Sequence, residues 1–373
     1  MIQAVVKKEL RQIIRDTRTL GVLLFVPVFL LVMFGYAISL DVKNAPIAVV
    51  DHDKSRQSRE LIRGFSHSEY FDLAYFTDDT GQLESMFLDE TVQGALVIPG
   101  DFSKRILRGE DTTVQVLIDG TNGTTGSALL GYMQAVIINY AGSLQEAQLG
   151  VETTELLPID YRPRVWFNPE LESNQYLIPG LVAFILVVTA VISTALSVVR
   201  EKELGTLEQI AASPLRPVDL ILGKTLPYMV ISAVIAASVF VASYFFFDVG
   251  VAGSLFWLAG VTLLFLFACL GLGIFISSIA ETQQVAFLIA ILSTFLPSFI
   301  LSGFVFPIEN MPVLIQAATY LVPARYYLSA LRAIMLKGAG VMVFWPDVLL
   351  LAIFAAATVG AGIFRLRTRS VLA

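Results

Sequence analysis

The stretch REKELGTLEQIAASPLRPVDLILGK, Arg200 to Lys224, lies between two long runs that carry no charged side chain. Arg200, Glu201, Lys202, Glu203 and Glu208 crowd a helix-compatible segment. Gly205-Thr206 breaks that segment with a hydroxyl able to cap a second helix over Leu207 to Ala212. Pro214 and Pro217 then end the second helix, and Val218 to Gly223 leads into the next apolar run. The pattern predicts two short helices lying under a membrane. An ordinary connector explains the charges but not this order of helix, break, helix, proline turn and return to the lipid.

The flanking runs belong to a set of six, at Gly21 to Leu40, Tyr176 to Val199, Leu226 to Phe247, Leu255 to Ile279, Val285 to Phe304 and Val348 to Phe364. Each is at or near the about 20 apolar residues that a helix needs to cross a hydrocarbon core. Composition agrees: 56% of residues are hydrophobic and only 15% charged, with a mean hydropathy of +0.73. A soluble domain carries about a quarter charged residues. The expected fold is an α-helical polytopic membrane protein with six transmembrane helices. The first run has an apolar core longer than the roughly 7 to 15 residues of a secretory leader, so it is expected to remain as a signal anchor.

Orientation follows from the basic residues. Lys7, Lys8, Arg11, Arg15 and Arg18 precede the first run, Arg200, Lys202, Arg216 and Lys224 sit in the quoted loop, and Arg365, Arg367 and Arg369 close the chain. The opposite short segments hold only Arg325, Arg332 and Lys337. The positive-inside bias therefore puts both termini in the cytoplasm. Residues 41–175 are then extracytoplasmic, and with 21 acidic against 10 basic side chains they are strongly acidic.

This outer segment reads as an inserted extracytoplasmic α/β domain. Strand-like runs at Ile47 to Val50, Phe71 to Phe76, Gln93 to Ile98 and Thr113 to Ile118 alternate with helical candidates at Ser55 to Phe65 and Leu83 to Leu88. A long helix over Ser127 to about Leu149 follows, with Leu129, Leu130, Met133, Val136, Ile137 and Tyr140 at spacings of three and four. The resulting division is a cytoplasmic amphipathic helix at 1–20, a first transmembrane helix at 21–40, the α/β domain at 41–175 and a transmembrane core at 176–373. Within the core, the coupling loop spans 200–225 and an outer re-entrant segment 305–347.

Several chemistries are excluded. His52 and His67 are the only histidines, and neither HxxxH spacing nor a nearby cysteine supports a metal site. Cys269, the single cysteine, falls inside the fourth run and rules out an internal disulfide. Gly223-Lys224-Thr225 lacks the first glycine of a phosphate-cradling loop, whose place is taken by Val218. Nucleotide is therefore expected on another subunit. The six runs hold no Asp, Glu, Lys, Arg or His, which disfavours catalysis or proton relay at membrane depth, and nothing points to nucleic acid.

At this point the chain resembles the membrane subunits of type-2 ATP-binding-cassette exporters. The matching residues are Arg200-Glu201 with Glu203, Gly205-Thr206-Leu207-Glu208, Pro214 and Gly223-Lys224. To these are added Ser302-Gly303-Phe304-Val305-Phe306-Pro307, Met311-Pro312, Pro323, Arg332 and Gly338 beyond the fifth run. The head fits too, with Lys7-Lys8-Glu9-Leu10-Arg11 and the apolar face of Ile2, Val5, Val6, Ile13 and Ile14. The inserted outer domain resembles that of a subgroup of such permeases.

The resemblance implies a permease in a bacterial inner membrane that pairs with a second copy or paralogue and with cytoplasmic ATPase subunits binding ATP and Mg, while the acidic outer domain either faces a periplasmic adaptor or serves solubility. It implies efflux of an amphiphilic or hydrophobic solute. Glu203, Gly205, Thr206, Leu207 and Glu208 would meet the ATPase, with Glu281 in the short turn Ser277 to Gln284 as a second contact. Thr189, Ser193 and Ser197 in the second run, with Ser293, Phe295 and Phe299 in the fifth, form a stripe that reads either as a translocation path or as ordinary helix-packing glue. A membrane-anchored receptor or assembly factor, whose outer domain binds a partner, is the competing reading.

Overall fold

A computed structural model describes residues 2–37, 43–149, 166–168, 172–205 and 217–372. The chain divides into two compact units, Met1–Ser39 with Val165–Ala373, and Leu40–Arg164.

The first unit is helical. Helix α1 (Ile2–Arg15) precedes α2 (Thr17–Ala37). Within the second unit come β1 (Ala45–Asp51), α3 (Arg56–Ser66), β2 (Phe71–Thr77), α4 (Gly81–Leu88), β3 (Gly94–Ile98), α5 (Phe102–Arg108), β4 (Gln115–Ile118) and α6 (Gly123–Leu149). The first unit resumes with α7 (Ser173–Glu203), α8 (Pro217–Phe247), α9 (Leu255–Ile279), α10 (Gln283–Leu301), a 3-10 turn at Ile308–Asn310, α11 (Val313–Thr319), α12 (Pro323–Met335) and α13 (Val341–Leu372).

Among the described residues, six stretches are long and apolar enough to cross a membrane: Leu20–Ala37, Ser173–Glu203, Gly223–Phe247, Leu255–Ile279, Gln283–Leu301 and Val341–Arg365. Helix α7 is the hub. It packs against α2, α8, α9, α10 and α12, and nearly every side chain from Leu177 to Val187 is buried. The peripheral helices α2, α10 and α13 leave large apolar side chains such as Phe25, Leu292 and Ile353 uncovered by the chain itself.

Three boundaries differ from the charge-free runs, each for a physical reason. Helix α7 continues without interruption through Arg200, Glu201, Lys202 and Glu203, so the first of the two short helices expected under the membrane is the last turn of the spanning helix. Helix α8 runs from Pro217, where a missing N–H costs nothing, so Val218 to Gly223 form part of the helix ahead of the apolar run. Helix α13 starts at Val341, ahead of the apolar run beginning at Val348. A charge-free criterion stops at Asp347, but here that carboxylate accepts a hydrogen bond from the Ser329 hydroxyl at 2.7 Å and is half-buried.

The second unit is built on a four-stranded sheet of order β2-β1-β3-β4, with β1 parallel to β2 and β3, and β4 antiparallel to β3. Ile47, Ala48, Val49 and Val50 of β1 are all buried, the continuous apolar signature of a strand covered on both faces. On one face Ile47 and Leu96 join Leu61 and Phe65 of α3, Phe102 and Ile106 of α5, and Leu129 and Met133 of α6. On the other, Ala48, Val50, Ala95 and Val97 pack against Leu83 of α4. Helix α3 opens on a capping box in which the Ser55 side chain accepts from the Ser58 N–H and the Ser58 side chain accepts from the Ser55 N–H.

Candidate functional site

At one end of the helical unit, the last turn of α7, the first turns of α8, the turn between α9 and α10, and helix α1 converge on a set of charged side chains. Lys8 Nζ lies 2.5 Å from Glu201 and 3.4 Å from Glu9, while Lys224 Nζ lies 2.6 Å from Glu201 and 3.3 Å from Glu9. The four groups form a closed ring in which each carboxylate faces both ammoniums. Glu9 is 3% exposed, Glu201 6% and Lys224 4%. An isolated charge at such depth costs several kcal/mol. Alternation of sign around the ring, with no net charge, is what makes the burial tolerable. Burial alone would lower the Lys8 ammonium, but the hydrogen bond and charge of Glu201, supported by Glu9, hold it above the ordinary lysine value. A raised folded pKa means that its contribution is complete below the unfolded value of about 10.4 and is lost only above it. Lys8 therefore stays charged through the physiological range.

Gly223 makes the ring possible. A Cβ there would come within 2.7 Å of Val5 Cβ, so only glycine lets α1 lie close enough to α8 for Glu9 to reach Lys224. The Gly223-Lys224-Thr225 triplet is thus inside a helix, with its lysine held by two carboxylates. Such a lysine is not placed to hold a phosphate.

The end of α7 grips the α9–α10 turn. Lys202 Nζ donates to the Ala280 carbonyl at 2.7 Å, and the Gln283 backbone N–H donates to Glu203 Oε1 at 2.7 Å. The Gln283 side-chain amide donates to the other Glu203 oxygen. Gln283 is the first residue of α10, so the Glu203 carboxylate also meets the positive end of that helix. Glu281 stands exposed in the same turn. Gly205, at φ +67°, is in the left-handed conformation just past the end of α7, where glycine stops a helix with least strain. Thr206, Leu207 and Glu208, and the helix expected over Leu207 to Ala212, lie outside the described residues. The structure thus brings Glu203, Gly205 and Glu281 to one surface, with Glu203 held by its own chain.

Hydroxyls of the expected polar stripe also bond to backbone carbonyls. Thr189 donates to the Ile185 carbonyl at 2.7 Å, Ser193 to Ala190 at 3.2 Å and Ser293 to Ala290 at 3.3 Å. These hydroxyls bond within their own helices. Ser197 is half-buried on α7, near its charged end. Phe295 and Phe299 do meet, through Phe184 at ring distances of 5.0 and 5.8 Å, and Phe299 packs edge-on against Phe304 at 5.7 Å.

Sequence reasoning missed the ring and one further clamp. Arg332 donates to the Gly303 carbonyl at 3.0 Å and the Tyr176 carbonyl at 3.2 Å, with its guanidinium 3.8 Å over the Tyr176 ring. This ties the Ser302 to Pro307 segment to α12 and the start of α7. Available signals were an acid, Glu9, amid the basic residues of α1, and a lone lysine, Lys224, beside glycine at the mouth of a span.

The sequence matches the model of the ABC-2 family of transporter proteins over residues 18–364. It is 34% identical over 369 residues to the probable multidrug ABC transporter permease YbhS of Escherichia coli K12, covering 99% of this chain and 96% of that protein. Similarity to the probable multidrug ABC transporter permease YbhR of the same organism is 30%, covering 98% of each. The inner membrane transport permease YhhJ is 28% identical, with 96% and 95% covered.

Proposed function

Because the chain belongs to the ABC-2 family of transporter proteins, we propose that it is the permease subunit of an exporter whose helix-end platform receives force from a separate ATPase that binds ATP and Mg. The single observation that carries this reading is the convergence of Glu203, Gly205 and Glu281 on one surface, braced from behind by the Lys8–Glu201–Lys224–Glu9 ring. A push on the segment after Gly205, or on the Glu281 turn, meets α7, α8, α1 and α10 as one braced body. That is the requirement for rigid-body alternating access. The motion follows from differential fit of the ATPase to the two permease states, so contact has to persist in both.

Residues 41–175 face the exterior in this reading, both termini face the cytoplasm, and the acidic α/β unit is available to a periplasmic adaptor. The membrane is a bacterial inner membrane, and a second copy or paralogue covers part of the apolar surface left by α2, α10 and α13. The solute is amphiphilic or hydrophobic; the multidrug names of similar permeases support that class. Its path runs beside Thr189, Ser193, Ser197, Ser293, Phe295 and Phe299.

The test is ATP hydrolysis by the complex in vesicles, with assembly followed by co-purification. Glu208→Lys reverses one charge outside the lipid and is expected to lower permease-stimulated hydrolysis by roughly tenfold, about the value of one charged contact. Gly205→Pro, which cannot adopt a positive φ, is expected to lower it further. Wild-type hydrolysis by both assembled variants would remove the coupling role.

A further inference from the structure

Helix α1 carries an apolar hollow along the face bearing Val6, Leu10 and Ile14. Val6, Leu10 and Ile14, with Leu226 of α8, line a space of about 370 Å³, and Lys7 and Arg11 stand at its rim. Ile14 is 63% exposed and Leu226 48%. Leu226 belongs to the membrane-crossing stretch Gly223–Phe247, so the floor of the hollow lies at the level where a span begins.

The charge around it is one-sided. Glu9, the acid of α1, is turned inward to Lys8 and Lys224, which leaves Lys7, Arg11 and Arg15 as the outward charges of the helix. Among the described residues, neither Lys7 nor Arg11 has an ion pair or a side-chain hydrogen bond. Arg11 also borders a second hollow of about 680 Å³, shared with Lys8, Gln12, Arg15 and the acid Asp16. An apolar slot rimmed by unpaired cations, at the depth where hydrocarbon gives way to headgroups, matches a ligand with a hydrocarbon tail and a negative head.

We propose that this face of α1 holds an anionic phospholipid, its acyl chain in the Val6–Leu10–Ile14–Leu226 hollow and its phosphate between Lys7 and Arg11. A zwitterionic lipid fills the slot equally well but gains less from the cations. Neither cation belongs to the ring, so their removal leaves the helix-end platform in place.

The full-length chain, purified in detergent, is offered equal amounts of phosphatidylglycerol and phosphatidylcholine of the same chain length, and retained lipids are counted by native mass spectrometry. Two cations at about 1 kcal/mol each correspond to a preference for phosphatidylglycerol of roughly thirtyfold. Lys7→Gln with Arg11→Gln is expected to bring the ratio to parity, and Ile14→Gln to lower retention of both lipids. Cys269, buried, stays unreactive to thiol reagents in each variant if the fold is intact. Equal retention by the wild type overturns the proposal, as does a preference that survives in the double variant. Displacement of phosphatidylglycerol by millimolar inorganic phosphate indicates a plain anion site and also overturns it. So does a double variant that keeps its lipid preference but no longer co-purifies with the ATPase, since the surface then serves a protein.

Discussion

Replacing Lys224 by methionine removes one ammonium from the buried ring while keeping a side chain of similar length. Glu201 then loses its 2.6 Å partner and Glu9 its 3.3 Å partner. Breaking a buried pair by deleting one member costs about 3–5 kcal/mol. Lys8, half exposed, still reaches both carboxylates, which places the cost near the lower end, about 3 kcal/mol. At about 2–4 °C per kcal/mol, the unfolding midpoint falls by roughly 6 °C or more. The chain supplies its own probe: Cys269 is the single cysteine and fully buried, so a thiol-reactive fluorogenic dye reports its exposure during a scan at fixed rate. Glu201→Gln together with Lys224→Met leaves Lys8 facing Glu9 and deletes one charge of each sign. Since replacing both members of a buried pair is often neutral, the double variant is expected to recover at least half of the loss. An unchanged midpoint in Lys224→Met refutes the ring, and so does a double variant whose loss equals the sum of the two single losses.

Glu203→Ala frees the Gln283 N–H and its amide, and should lower the dye-reported midpoint less than Lys224→Met does, because this carboxylate is open to solvent where the ring is buried. Gly223→Ala drives a Cβ against Val5 and should destabilise the protein by about 1–3 kcal/mol; adding Val5→Ala should restore most of it, which the same scan reads. Tyr140 donates to the Gln57 carbonyl at 2.9 Å, and burial pushes its phenol up to about 12, with the Glu60 charge adding to the shift. A raised folded pKa stabilises fully below the unfolded value of about 10 and is lost as pH climbs through the folded one. The advantage of wild type over Tyr140→Phe in urea unfolding should therefore stay constant up to about pH 10 and shrink above it.

What could be read from the sequence, and what could not, follows the range of the interactions. Spans such as Leu255 to Ile279 announce themselves because hydrocarbon demands about 20 apolar residues in a row, and β1 because a strand covered on both faces is apolar throughout. The ring was hidden because Glu9, Glu201 and Lys224 come from three distant segments, and each looks locally like a solvated charge. Lys224 read as the residue before a span and Glu203 as a surface contact for a partner, although its bond to Gln283 is made across 80 positions. Asp347 shortened the last apolar run because no sequence rule foresees its bond to Ser329. The hydroxyl stripe carries a detail of another kind: spacing on a helix says nothing about whether Thr189 or Ser293 also donates to its own backbone, as both do.

In the proposed function a separate ATPase sits on the surface bearing Glu203, Gly205 and Glu281. The most direct measurement places a cysteine at Glu281, exposed in the α9–α10 turn, or at Ser66, exposed in the α/β unit, in a Cys269→Ser background with the ATPase co-expressed in intact cells. Glu281→Cys is expected to cross-link to the ATPase and to be shielded from a membrane-impermeant thiol reagent, whereas Ser66→Cys is expected to be labelled from outside and never to cross-link. Labelling of Glu281→Cys from outside, or cross-linking of the ATPase to Ser66→Cys instead, would contradict it.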